Sequence, residues 1–202
     1  EESSMKKIII YIVIAVIVVI VVALFGWVKG TYNGMVEQEE NVSKAWSQVE
    51  NVYQRRADLI LNLVNTVKGY AAHEKETLEG VLAARAKATQ MTVNLDDLSE
   101  ENIKKYQAAQ GDLQQAMGRL LMLTENYPDL KANENFRDLQ AQLEGTENRI
   151  TVERQKFNEA AKEYNTNIRK FPNNIFAGMF GFEKKGYFEA QEGAEKAPEV
   201  KF

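Results

Sequence analysis

The segment FRDLQAQLEGTENRITVERQKFNEAAKEYNTNIRKF (Phe136–Phe171) carries an aromatic or aliphatic residue at every seventh position: Phe136, Leu143, Ile150, Phe157, Tyr164 and Phe171. A repeat near 3.5 residues per turn keeps one stripe of a helix facing its partners when helices cross at about 20°. A strand would need apolar residues with a period of two, and no such alternation appears. This segment therefore predicts a long helix in an antiparallel bundle, and the rest of the chain is read outward from it.

Two earlier segments share the spacing. Between Met35 and Met91, Val49, Leu63 and Tyr70 fall on one line of sevens, and Tyr53, Ile60, Val67, Val81 and Ala88 on the other. Between Ser99 and Tyr127, Ile103 and Met117 pair with a second line of Tyr106, Leu113, Leu120 and Tyr127. Ser99 is suited to cap a helix whose first turn holds Glu100 and Glu101, with Leu98 and Ile103 as a hydrophobic staple. Pro128 stops that helix, Asn133 can cap the third, and Pro172 with Asn173 and Asn174 ends it. Gly69 and the polar run His73–Thr77 pose an alternative within the first segment. Either the chain turns there, giving four shorter helices, or one helix of about 57 residues runs for roughly 85 Å. The register crosses Gly69 without a slip, so the long helix is the preferred expectation.

Working toward the N-terminus, IIIYIVIAVIVVIVVALFGWV (Ile8–Val28) has no charged residue. As a helix it is about 31 Å long, matching a hydrocarbon core of about 30 Å. Tyr11 and Trp27 stand near its two ends, where amphipathic rings favour the interface. The run exceeds the apolar stretch of about 7–15 residues typical of a signal peptide and lacks a small-x-small exit, which predicts an uncleaved single-pass anchor. Lys6 and Lys7 precede it. If Met5 is the first translated residue and Glu1–Ser4 a processing remnant, its amine adds a third positive charge there. The positive-inside rule then favours a cytoplasmic N-terminus with the large domain outside. Gly26, Gly30 and Gly34 could form a close-packing stripe, but only Gly26 lies within the span, so they predict a flexible neck. The expected organisation is a tail (1–7), a transmembrane helix (8–28), a neck (29–34), a helical bundle (35–171) and an aromatic-rich C-terminal segment (172–202).

Composition excludes several function classes. The chain has 202 residues, no cysteine, one histidine and a net charge of −4. Without cysteine there is neither a disulfide scaffold nor a thiolate zinc site. The acid excess argues against nucleic acid or anionic lipid as the main partner, because both need a basic face. His73 with Glu74 and Glu76 lacks the second histidine of H-E-x-x-H, since position 77 is Thr, so a solvated helical face is expected and no metal. No nucleophile elbow, P-loop or glycine-rich phosphate turn is present, so no catalytic residue, cofactor or small-molecule substrate is expected.

Two groups of residues remain. Arg55, Arg56 and Asp58 lie in the first segment, and Glu144, Glu147, Arg149 and Arg154 in the third. Glu147 and Arg154 follow Leu143 and Ile150 by four residues, on the second line of the stripe, where a charge must pair or reach the surface. They predict an interhelical ion-pair network that fixes register. Farther on, Phe171, Ile175, Phe176, Met179, Phe180, Phe182, Tyr187 and Phe188 gather five of the nine phenylalanines within 18 residues. This segment either folds back to cap the bundle or leaves rings exposed to bury against a neighbour or the membrane surface. A three-helix path favours subunit contact, whereas a path that returns nearer the lipid favours interfacial docking.

Several blocks carry a resemblance. VSKAWSQVENVYQRRADLILNLVNTVKGYAAHEKETLEGVLAARAKA (Val42–Ala88), NYPDLKANENFRDLQ (Asn126–Gln140), LEGTENRITVERQKFNEAAKEYN (Leu143–Asn165) and FPNNIFAGMFGF (Phe171–Phe182) resemble the bacterial LemA family. Leu61 stands where the family usually has proline, which removes a kink former and favours a continuous first helix. The resemblance implies a membrane-anchored helical bundle without established catalytic activity. It also raises the opposite membrane orientation, proposed for the family, and roles in organising membranes, through relatives associated with magnetosome membranes. Together these readings predict an all-α, membrane-anchored, non-enzymatic scaffold or adaptor. Its expected partners are the lipid bilayer, further copies of itself through the anchor, the bundle and the aromatic segment, and membrane proteins. The alternatives are an accessory subunit of a membrane protease or transporter and, more remotely, an unconventional hydrolase.

Overall fold

The computed structural model describes residues 2–190. Those residues form α1 (Glu2–Lys68), α2 (Lys75–Gln90), α3 (Glu100–Thr124), α4 (Pro128–Ala132), α5 (Glu134–Arg169) and α6 (Asn173–Phe180), with a 3₁₀ turn at Leu95–Asp97 and no strand among the described residues. The protein is all-α, as the heptad spacing requires. Two compact units are present. The first comprises the described residues up to Glu40 together with Glu163–Lys184; the second comprises Asn41–Lys162 and the described residues from Lys185.

The second unit is a four-helix bundle built from α1, α2, α3 and α5. Its directions follow from paired contacts. Moving up α1 from Trp46 to Arg56 moves down α5 from Phe157 to Glu147, so these helices are antiparallel. On α3 the same α1 residues meet Tyr106 and then Gln110, so α1 and α3 run in parallel. The core holds Ile60, Leu63 and Val67 of α1, Leu78 and Val81 of α2, Leu113 and Leu120 of α3, and Phe136 and Leu143 of α5. Burial contributes about 1.5–3 kcal/mol for each such side chain. The stripe from Phe136 to Tyr164 is buried at each heptad position, whereas the end positions Tyr70 and Phe171 are exposed.

The expected caps are present. Asn102 N–H donates to Ser99 Oγ at 3.3 Å, and Phe136 N–H donates to Asn133 Oδ1 at 3.0 Å. Pro128 opens α4, where its missing N–H costs nothing. Leu98 and Ile103 are both buried beside the Ser99 cap.

Two expectations are corrected. The preferred continuous helix through Gly69 does not form, because α1 ends at Lys68 and the chain turns. Gly69 N–H bonds Thr66 C=O, and Tyr70 and Ala71 N–H bond Val67 C=O, closing the helix end. Folding back buries Leu78, Val81 and Ala88 of α2, which a straight extension would leave in water. The neck at 29–34 is also absent: α1 runs unbroken through Gly26, Gly30 and Gly34 and past Leu61. Each glycine costs about 1 kcal/mol against alanine in a helix interior, too little to break a helix pinned by tertiary packing. That packing comes from the fully buried Met35 and from Tyr32, whose ring meets Phe180 and Phe182.

Candidate functional site

In the first unit, the apolar part of α1 is exposed throughout, from Ile8 to Trp27, with hydropathy high enough for a bilayer crossing. Lipid is the solvent such a surface requires. Ile8, Tyr11 and Val28 lie on the same helix, and Trp27 meets α6: its ring lies 5.3 Å from Phe176, edge to face. One turn on, the Tyr32 ring packs 5.1 Å from Phe180 and 5.6 Å from Phe182. Nearby, Asn167 Nδ2 donates to Gln38 Oε1 at 2.7 Å, and Tyr164 O–H donates to Glu183 C=O at 2.9 Å. Burial pushes the Tyr164 hydroxyl up, with Glu39 and Glu183 adding to the rise. The chain leaves α5 through Phe171–Pro172 and ends α6 on Gly181, whose φ of 77° is the left-handed cap that favours glycine.

In the second unit, Trp46 is the centre of an aromatic cluster. Tyr106 and Phe157 meet it edge to face at 5.0 and 5.3 Å, and Phe188 stacks on it at 5.6 Å with planes 12° apart. Pairs of this kind add about 0.5–1.5 kcal/mol beyond area burial. Burial raises the hydroxyl pKa of Tyr53 and Tyr106, so both remain neutral donors. The Trp46 indole N–H has no partner at hydrogen-bonding geometry, yet Glu50, one turn along, feels it. Glu50 is held above the usual carboxylate range by burial, and that weak attraction only partly offsets the rise.

Phe188 reaches this cluster on an extended strap, residues 185–190. Phe188 N–H donates to Asn158 Oδ1 at 2.9 Å while Asn158 Nδ2 donates to Phe188 C=O at 3.0 Å. Gln107 repeats this reciprocal pairing with Glu189 N–H and C=O, both at 3.0 Å. Arg154 adds a 2.7 Å bond to Glu189 C=O and lies over the Phe188 ring. Gly186 N–H donates to Leu98 C=O at 2.8 Å, and a Cβ there would stand 2.6 Å from Glu100 Cα, so only glycine fits.

Of the expected polar network, Arg56 is the member that is buried between helices. Its guanidinium bonds Glu147 Oε1 at 3.1 Å, Gln110 C=O at 2.9 Å and Gln110 Oε1 at 2.7 Å, tying α1 to α5 and α3. Only Nε lacks a partner. Arg154 serves the strap, and Asp58 faces Arg85 of α2 at 3.6 Å. Arg55 and Arg149 lie exposed. A polar cleft of about 730 Å³ opens beside this network, walled by Tyr53, Arg56, Lys104, Asp112, Glu147 and Arg154. Its charges are largely engaged with one another or with the strap.

The aromatic C-terminal group is divided. Phe188 is buried, Phe176 and Phe182 are half-buried, and Phe171, Ile175, Met179 and Phe180 are exposed. Residues 191–202 of the expected C-terminal segment, and Glu1, lie outside the described residues. His73 Nε2 lies 2.9 Å from Tyr127 Oη, and Tyr127 O–H also donates to Glu74 Oε1 at 2.8 Å. Among the described residues no three potential ligands converge on a metal position. Gln107, Gln110 and Asn158 escape sequence reading, and Gly186 reads there only as a residue that keeps its segment irregular. Polar residues on solvated helices carry no periodic signal, and a close backbone approach is invisible before the partner is placed.

An apolar anchor helix joined in sequence to a heptad-packed bundle defines a membrane-associated helical protein. The LemA family model matches residues 45–202, and the chain belongs to that family. Magnetosome protein MamQ 2 of Paramagnetospirillum magneticum is 28% identical over 183 residues, covering 81% of this chain and 66% of the relative. Magnetosome protein MamQ of Magnetospirillum gryphiswaldense is 27% identical over 181 residues, with the same coverage. The chain thus spans just under two thirds of the length of these relatives. Protein LemA of Metamycoplasma hominis is 23% identical over 163 residues, covering 81% of this chain and 71% of the relative. None of these names denotes an enzyme.

Proposed function

We propose that this protein is a non-enzymatic, membrane-anchored scaffold that self-associates through its anchor and presents its bundle to membrane-protein partners. The likeness to bacterial relatives supports the inner membrane of a bacterium as its location, and the lysines before the span support the outer side for the bundle. The observation that carries self-association is the set Gly26, Gly30 and Gly34. They recur every four residues on an unbroken helix, and a Cβ at any of them would meet nothing within 4 Å. Gly26 lies within the span and Gly30 and Gly34 just beyond it, so small residues at this spacing leave room for two α1 helices to approach backbone to backbone where the anchor leaves the bilayer. Membership beside magnetosome proteins supports a role in organising membranes. The mutual pairing of the Arg56 network supports a register-fixing role for its charges.

The polar cleft favours a second reading, an accessory subunit that takes a segment of a membrane protease or transporter. Mass measurement in nanodiscs, with crosslinking in native membranes, separates the two. The scaffold predicts particles of more than one copy that revert to monomers when Gly26 and Gly30 are both replaced by leucine. Strictly monomeric wild-type particles with a stoichiometric foreign partner would establish the accessory role instead.

A further inference from the structure

α6 presents two apolar sides. Phe176 and Phe180 turn toward α1 and its Trp27 and Tyr32 rings, with Ala177 buried beside them. Ile175 and Met179, continued by Phe171 just ahead of the helix, recur every four residues on a different side. They are 51%, 71% and 81% exposed, and Phe180 keeps 47% of its surface open. Apolar side chains of this size rarely gather uncovered in water.

Two observations point to lipid as the cover. The α1 residue that α6 packs against, Trp27, ends the apolar run, and the adjoining Leu24 and Phe25 are themselves exposed. The apolar residues of α6 therefore begin beside the end of the apolar run of α1. Arg169 and Lys170 lead into α6 and are exposed, as is Lys29 on α1. Their long stems can run along apolar surface while the charges reach phosphate headgroups.

We infer that α6 lies in the boundary between headgroups and acyl chains as a second membrane contact, with Phe171, Ile175 and Met179 inserted. The contact order, Trp27 with Phe176 and then Tyr32 with Phe180, runs α6 alongside α1 with its Phe171 end nearest the span. This rests on Ile8–Val28 crossing the bilayer and is independent of self-association.

The chain contains no cysteine, so single labels can be placed without background. Full-length Met179→Cys and, separately, Phe171→Cys would carry a nitroxide in nanodiscs of phosphatidylcholine and phosphatidylglycerol. Val19→Cys serves as the lipid reference and Met122→Cys, on the exposed surface of α3, as the aqueous one. The expected result is a ratio of oxygen to nickel-chelate relaxation at 179 and 171 several-fold above that at 122 and approaching that at 19. Nickel accessibility equal to that at 122, with 19 still lipid-exposed, overturns the inference and leaves the anchor standing. Protection from both relaxants identifies a protein partner and also overturns it. Water exposure at 19 as well removes the anchor and the inference together.

Discussion

The two units use the same aromatic residue types to opposite ends. Around Trp46, the rings of Tyr106, Phe157 and Phe188 are held together by α1, α3, α5 and a strap. Around Trp27, Phe176 and Phe180 cover one side of α1 while Phe171 and Met179 remain open. Hydrophobicity alone does not separate the cases. The first cluster finds its apolar surroundings within the protein, whereas the second requires a solvent that is itself apolar.

The sharpest way to break this contrast is to truncate one ring from each. Phe157→Ala should lower the unfolding free energy of the bundle by about 3–5 kcal/mol, because a fully buried ring leaves a cavity. Phe171→Ala should change it by no more than about 0.5 kcal/mol, as expected of an exposed position. Denaturant titration of the full chain in detergent, followed by circular dichroism, reads both. Equal losses would erase the distinction.

A smaller effect tests how the second cluster is closed. Gly186→Ala forces a Cβ against the Glu100 backbone, which cannot yield as a side chain can. Overpacking of this kind costs about 1–3 kcal/mol. Its signature should be local: faster amide exchange at Phe188 and Glu189, whose N–H groups bond Asn158 and Gln107, with exchange in the middle of α3 little changed. Uniform acceleration across the bundle would show that the strap is not a separable element.

The smallest expected change concerns Glu50. Burial raises its pKa in the folded state, so its ionisation opposes folding. Folding binds this proton more tightly, and the group's contribution to stability falls as pH rises past its unfolded pKa toward and through the folded one. Glu50→Gln should therefore give a slight gain in stability at neutral pH that disappears in acid, where the wild-type carboxyl is protonated. Thermal melting between pH 3 and pH 8 would reveal it; a gain that persists in acid would point to packing instead of charge.

How legible these features were depended on their range. The stripe from Phe136 to Tyr164, the Ser99 and Asn133 caps and the apolar run Ile8–Val28 each follow from spacing along one helix, and all are found in the structure. The charge pattern predicts an interhelical network that includes Arg56 and Glu147 without saying that the two pair, and it gives no sign of Gln110, which completes the shell. An uncharged side chain becomes distinctive only when another helix is brought against it. The turn after Lys68 went against the preferred expectation, because an unbroken heptad register does not reveal whether the chain has reversed. The predicted neck failed in the opposite sense: glycine weakens a helix locally, and packing around Tyr32 and Met35 overrides it.

By itself the sequence determined the helical class, the anchor, the buried stripes and most helix ends, since hydrophobic period and capping chemistry act within a few turns. Only the tertiary structure decided where α1 stops, that Phe188 is a core residue while Met179 is a surface one, and that Gly186 sits where no side chain fits. Those outcomes depend on which surfaces meet across tens of residues of chain, and two phenylalanines with similar local surroundings can end in different solvents.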